Sequence, residues 1–152
     1  MKKLTLLLLL IPVLNNSQTL DDFCLIDSPD QFKRVATEYN YEKTLDNDDL
    51  IVYALDPIGK DFDTMKSKSI AVYMPKTNIV SWGFGMEFFI QQEIYNDIYS
   101  FVKGNSKYLK ITEINGNDYI TYESLCNDGK GGSSSIQLGF AIVDGLGTII
   151  RF

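Results

Sequence analysis

The order of apolar and aromatic residues in the first half of the chain recurs in the second half, about 69 residues further on. The matching pairs are Phe32 with Phe101, Tyr39 with Tyr108, Asp49 with Asp118, Ile51 with Ile120 and Tyr53 with Tyr122. If one extra residue is allowed before the third strand, Ala71 also meets Ala141. A recurrence of this period indicates one supersecondary unit used twice. The alternative is a chance likeness between two halves that share a generic pattern.

Each half is predicted to be a helix followed by four strands. Ser28 and Pro29 are typical of a helix start, so residues 20–39 are predicted to be helical. A broad apolar stripe predicts a second helix over residues 87–103. Alternating apolar residues predict strands over residues 41–45, 50–55, 69–74 and 79–84, and again over residues 108–114, 119–125, 136–143 and 148–152.

The fold class predicted from this order is α+β. We expect two tandem helix-plus-four-stranded antiparallel units, residues 18–85 and 86–152, that pack together or share one sheet in one compact body. Each unit has about 68 residues, which is near the lower limit for a domain that is stable alone. The element order is similar to the tandem repeat of secreted beta-lactamase-inhibitor-like proteins, but element order identifies no site residue.

Strand alternation predicts which side chains face the helices. Ile51 and Tyr53 share one face, as do Ile120 and Tyr122, and this face is expected to pack on the helices. The opposite faces of the two units differ, with Leu50, Val52 and Ala54 in the first and Tyr119, Thr121 and Glu123 in the second. An apolar second face has to be covered by the other unit or by a partner.

The N-terminus has the layout of a secretory signal peptide. Lys2 and Lys3 precede an apolar run over residues 4–14, and polar residues follow. Residues 1–17 are therefore predicted to be removed, with the cut near Ser17 or Gln18. The alternative is an N-terminal anchor or a buried strand.

Export would place the mature chain in the periplasm or outside the cell. The apolar run is shorter than the about 20 residues that span a bilayer, so no stable membrane insertion is expected after cleavage. A lipid anchor would need a cysteine directly after the run, and the first one, Cys24, lies too far along the chain.

The chain has two cysteines, Cys24 and Cys126. In an exported protein an even number of cysteines favours a disulfide. The bridge would close a loop of about 100 residues and stabilise the fold by about 4–5 kcal/mol in the chain-entropy model. Two separately buried thiols are the alternative.

Composition excludes several kinds of chemistry. The chain has no histidine, so histidine-dependent triads and histidine metal sites are excluded. Its net charge is −6 and it has no basic stripe, which argues against a nucleic-acid partner. We expect no metal and no cofactor.

The aromatic residues Tyr73, Trp82 and Phe84 of the second predicted hairpin are the candidate binding residues. Tyrosine and tryptophan dominate interface hot spots, so these side chains would hold a protein or an apolar ligand. Ordinary core filling is the alternative. The function predicted is a small exported, non-enzymatic binding or interaction module that uses a sheet face.

Two other functions stay open. A carboxylate-dependent glycan-processing enzyme would use an acid pair from Asp46, Asp48, Asp49, Asp56, Asp61 and Asp63, although solvated turn carboxylates explain the same pattern. A structural component of an envelope assembly is the other. The glycine-rich run at residues 129–133 leads into a predicted strand and not a helix, so we interpret it as a hairpin loop and not a phosphate site.

Overall fold

Eight strands form one antiparallel sheet in the part of the chain that the computed structural model describes, residues 18–58, 67–127 and 132–152. The strands are β1 (Glu42–Asp46), β2 (Ile51–Leu55), β3 (Ser69–Met74), β4 (Ile79–Gly85), β5 (Lys107–Ile114), β6 (Asn117–Asn127), β7 (Ser133–Val143) and β8 (Leu146–Arg151). The helices are α1 (Leu20–Leu25), α2 (Pro29–Glu38) and α3 (Phe89–Asn105). The predicted signal peptide, Asp61, Asp63 and most of the glycine-rich run lie outside the described residues.

The strand order across the sheet is β1-β2-β3-β4-β8-β7-β6-β5. Each half of the chain forms a meander, and the two meanders join through the antiparallel pair β4–β8. The α+β class is therefore confirmed, and the strands share one sheet. This order is compatible with units at residues 18–85 and 86–152, and that division stays a prediction.

The register shows how far the two meanders correspond. Ile51 of β2 pairs with Tyr73 in β3, and its repeat counterpart Ile120 of β6 pairs with Phe140 in β7. Tyr73 and Phe140 therefore occupy equivalent positions in the two meanders. The proposed match of Ala71 with Ala141 is wrong, because Ala71 pairs with Trp82 on the helix side whereas Ala141 lies on the other face. A slip of one residue inverts every side chain of a strand.

Each of the two edge strands carries an irregularity at a corresponding place. The register shifts between Lys43 and Leu45 in β1, and between Tyr108 and Lys110 in β5. Bulges and lysines on edge strands discourage pairing with another chain. The two ends of the sheet are therefore protected against edge-to-edge association.

The first helical segment is divided into two helices. Ser28 begins α2 by accepting a hydrogen bond from the Gln31 backbone nitrogen at 3.4 Å, and Pro29 occupies its first position. The prediction of one helix over residues 20–39 missed the break before Ser28. The match of Phe32 with Phe101 does not extend to their environments, because Phe32 is fully buried and Phe101 is 54% exposed.

All three helices pack on one face of the sheet. Phe23 of α1 and Phe32 of α2 contact Trp82, while Tyr95 and Tyr99 of α3 contact Phe140. The predicted helix-facing residues, Tyr53 and Tyr122, contact Phe32 and Tyr99 respectively, so that prediction is confirmed.

The predicted disulfide is present. Cys24 of α1 and Cys126 of β6 are bonded, with their Cα atoms 5.5 Å apart and a sequence separation of 102. The bond therefore ties a helix of the first half to a strand of the second half.

Candidate functional site

The predicted binding residues Tyr73, Trp82 and Phe84 lie in the core. All three point toward the helices, and their side chains are only 2%, 1% and 0% exposed, respectively. The rings of Phe23, Phe32 and Tyr41 surround Trp82 at centroid distances of 5.5–5.8 Å. A partner cannot reach these side chains without opening the fold. Their role is core filling, and a binding surface on the sheet has to be sought on the opposite face.

The opposite face, which we call the open face, is not covered by the described helices. One row of paired residues crosses all eight strands of this face: Leu45, Val52, Val72, Ser81, Ile150, Gly139, Thr121 and Lys110. The row is largely aliphatic in β1–β3 and ends on polar residues in β6 and β5. The open face therefore has an apolar half and a polar half.

The apolar half consists of aliphatic side chains that are mostly half-buried. Val52 and Ala54 are fully buried, and the partly exposed residues around them are Leu45, Leu50, Ile70, Val72, Met74 and Ile79. Sequence alternation had already indicated Leu50, Val52 and Ala54. The others escaped notice because only the strand order places β1 and β3 beside β2, and β4 beside β3.

The polar half carries charged and hydroxyl-bearing side chains. Lys107 and Glu123 form an ion pair at 3.8 Å across β5 and β6. The Thr121 hydroxyl donates a hydrogen bond to the Lys110 carbonyl oxygen at 2.6 Å. Thr121 is buried, whereas Lys107 and Lys110 are exposed and Glu123 is partly exposed. The hydrogen-bonding groups that this half offers at its surface are therefore those of its charged side chains.

Glycines allow large neighbours to lie over the middle of the open face. A Cβ atom at Gly139 would lie 2.9 Å from Cγ2 of Ile150 and 3.2 Å from Cβ of Tyr119. Leu146 lies over Gly83 in the same way. Tyr119 is consequently buried, and this burial raises the pKa of its phenol.

Two of the turn carboxylates considered for an enzyme, Asp46 and Asp49, are engaged in surface ion pairs. Asp46 contacts Lys33 at 3.2 Å and Lys43 at 3.4 Å, and these hydrogen bonds lower the pKa of Asp46. Asp49 pairs with Lys76. In the described chain, no group of three or more histidine, cysteine, aspartate or glutamate side chains is placed to hold a metal ion.

One shallow groove does bring two carboxylates together. Asp21 of α1 and Asp97 of α3 line a groove of about 320 Å³ beside the exposed ring of Phe101. The groove contains both acidic groups and an aromatic surface, which are features that saccharide sites use. Neither aspartate was among the acidic residues considered from the sequence, because only the packing of α1 near α3 brings them together.

A comparison of the chain with protein-family models, curated proteins and solved structures finds no match.

Proposed function

We propose that this protein is an exported, non-enzymatic binding module whose open face binds another protein. The observation that carries the proposal is the apolar half of that face. Aliphatic side chains of β1–β4 remain partly exposed there while all described helices pack on the other side of the sheet. Contiguous apolar surface that is not covered within a monomer is typical of an interaction site.

The size of the open face favours a protein over a small ligand. Strands lie about 4.8 Å apart, so eight of them span about 34 Å, and a strand of six residues is about 20 Å long. The face therefore offers about 700 Å², close to the about 800 Å² that each partner contributes to a standard protein–protein interface. A small molecule would cover only part of it.

The division of the face indicates the chemistry of the partner surface. An aliphatic patch should lie against Ile70, Val72 and Met74, and hydrogen-bonding groups should lie against the polar half, at Lys110 and Glu123. Interfaces commonly combine an apolar centre with a polar rim. Because the edge strands carry bulges and lysines, pairing of a partner strand with the sheet edge is the less favoured mode.

Export rests on the predicted signal peptide of residues 1–17 and is supported by the Cys24–Cys126 disulfide. Disulfides persist in oxidising compartments such as the periplasm and the extracellular space. Among the described helices, none has the length and apolar character needed to cross a membrane.

The test compares two variants, each with one added positive charge on a different surface. Val72→Lys introduces a charge in the apolar half, and Gln92→Lys introduces the same charge on an exposed turn of α3. Photo-crosslinking residues at positions 72 and 92 of otherwise wild-type chains would capture partners from the culture medium and envelope fraction of the producing cells.

The expected result is one crosslinked protein from position 72 and none from position 92. The crosslinked partner, once purified, should bind the Gln92→Lys chain as tightly as it binds wild type. It should bind the Val72→Lys chain at least about tenfold more weakly, because the new charge would be buried without a partner. Equal binding by both variants, with both folded by circular dichroism, would show that the open face is not the binding surface.

A glycan-processing activity is the second candidate, because Asp21 and Asp97 line one groove. Hydrolysis of a panel of chromogenic glycosides by wild type, and its loss in Asp97→Asn, would support it. No hydrolysis by wild type would leave the binding module as the only candidate of the two.

A further inference from the structure

A second concave site lies on the helix side of the sheet, next to the disulfide. The cavity has a volume of about 530 Å³ and is lined by residues of the α1–α2 segment, the β3–β4 turn and the ends of β6–β8. Both bridged cysteines, Asp27 and Arg151 are part of its wall. Ligand sites of about 300–1,000 Å³ are common in proteins, so the cavity is large enough for a small molecule.

Arg151 brings a buried positive charge to this cavity. The residue is only 5% exposed. Its Nη1 donates to the Phe23 carbonyl oxygen at 2.9 Å, and its Nη2 donates to the carbonyl oxygen of Asn78 at 3.4 Å and to Oδ1 of Asn78 at 3.2 Å. All these acceptors are neutral. No carboxylate of the described residues lies within 4.0 Å of the guanidinium nitrogens, so this buried cation has no anionic partner there.

The guanidinium is held in a fixed position. The Tyr73 hydroxyl donates to Asn78 Oδ1 at 3.0 Å, and that oxygen also accepts from Arg151. Tyr73 thus positions Asn78, which in turn positions Arg151. Burial lowers the pKa of Arg151, while the nearby Tyr73 and Asp27 oppose that change. Arginine nevertheless stays protonated in proteins, so the charge persists.

Asp27 brings a negative charge to the same cavity. Its backbone nitrogen donates to Oε1 of Gln31 at 2.7 Å, and within the described chain its carboxylate has no ion pair. The two opposite charges therefore line one space without contacting each other. Leu25, Ile136 and Phe152 add apolar surface to the wall.

We propose that this cavity binds a small zwitterion, an α-amino acid with an apolar side chain. Its carboxylate pairs with Arg151, its ammonium group pairs with Asp27, and its side chain lies against the apolar wall. A simple anion would be repelled by Asp27, and a simple cation would be repelled by Arg151. A ligand that carries both charges satisfies both residues and supplies an anionic partner that the buried guanidinium does not find among the described residues.

This site is independent of the open face, because it lies on the opposite side of the sheet. Failure of either proposal leaves the other in place. The test uses isothermal titration calorimetry of the disulfide-bonded chain with three probes of similar shape. L-Leucine carries both charges, 4-methylpentanoate carries only the carboxylate, and 3-methylbutylamine carries only the amine.

L-Leucine is expected to bind at least about tenfold more tightly than either single-charge probe, the effect of one charge-assisted hydrogen bond. Asp27→Asn should weaken L-leucine binding about tenfold while leaving 4-methylpentanoate binding equal or stronger. Asp30→Asn is the matched control, because it removes an exposed carboxylate of α2 that does not line the cavity. It should change neither the L-leucine affinity nor the 4-methylpentanoate affinity.

Arg151→Gln should abolish binding of both L-leucine and 4-methylpentanoate, provided that the variant is folded. Because Arg151 also ties α1 to the β3–β4 turn, Asp27→Asn at an exposed position is the decisive variant. The proposal is overturned if L-leucine does not bind to the wild-type chain, or if Asp27→Asn binds L-leucine as tightly as Asp30→Asn does.

Discussion

Trp82 of β4 and Ile149 of β8 are direct neighbours across the seam where the two meanders join, and both are buried under the helices. The pair lies within one core that continues from the first half of the chain into the second. Loss of either side chain should therefore weaken the whole fold and not one half of it.

Trp82→Ala is expected to destabilise the protein by about 3–5 kcal/mol, the usual cost of removing a buried large aromatic side chain. The reason is the loss of contacts with Phe23, Phe32 and Tyr41. Urea unfolding followed by circular dichroism would measure the change. A loss below about 1 kcal/mol would contradict the buried position of Trp82.

Reduction of the Cys24–Cys126 disulfide should lower the free energy of unfolding by about 4–5 kcal/mol, because the bond closes a long loop. Denaturant unfolding with and without reductant measures this difference. Alkylation of the unfolded, unreduced chain, followed by intact mass, is the control. Two alkylated cysteines without reductant would refute the bond.

Substitutions at two glycines should have opposite effects. Gly139→Ala places a Cβ atom within 2.9 Å of Ile150 and should cost about 1–3 kcal/mol, as overpacking does. Gly104→Ala, in α3, meets nothing within 4 Å and should stabilise by about 0.5 kcal/mol. Thermal unfolding of the two variants compares them, and a more stable Gly139→Ala chain would contradict the close approach of Ile150 and Tyr119.

Alkaline pH should destabilise the protein through Tyr95. Burial raises the pKa of Tyr95 from 10.0 to about 12, so the folded state holds the phenol proton more tightly than the unfolded state. The resulting stabilisation is fully present below pH 10 and is lost as the pH rises toward about 12.

Tyr95→Phe keeps the ring but removes the titrating hydroxyl, which donates to the Ala141 carbonyl oxygen at 3.2 Å. Its unfolding free energy should fall less steeply than that of wild type over this pH range. Chemical unfolding at several pH values measures both slopes. Identical slopes would exclude Tyr95 as a contributor.

Local sequence patterns were enough to predict most of the fold. The eight strands, the long helix and the helix-facing positions of Tyr53 and Tyr122 follow from alternation and helical spacing, because those periods reflect which side of an element is buried. The break between α1 and α2 was missed, although Ser28 and Pro29 mark it, because apolar residues continue on both sides.

The candidate sites were much less predictable. Tyr73, Trp82 and Phe84 have the composition of a binding surface, but composition does not reveal which face of a sheet receives the helices. Arg151 and Asp27 carried no signal at all, because they are far apart in sequence and line the same cavity only in the folded chain.

The sequence by itself determined the element order, the α+β class and the pair of cysteines able to bond, since these depend on local periodicity and on the number of cysteines. The tertiary structure decided that β4 pairs with β8, that the helices cover one face, and that an aliphatic surface remains open on the other. The physical reason is that strand pairing and burial depend on contacts between residues distant along the chain. Local propensity does not encode those contacts, and they form only when the strands of both halves assemble into one sheet over one core.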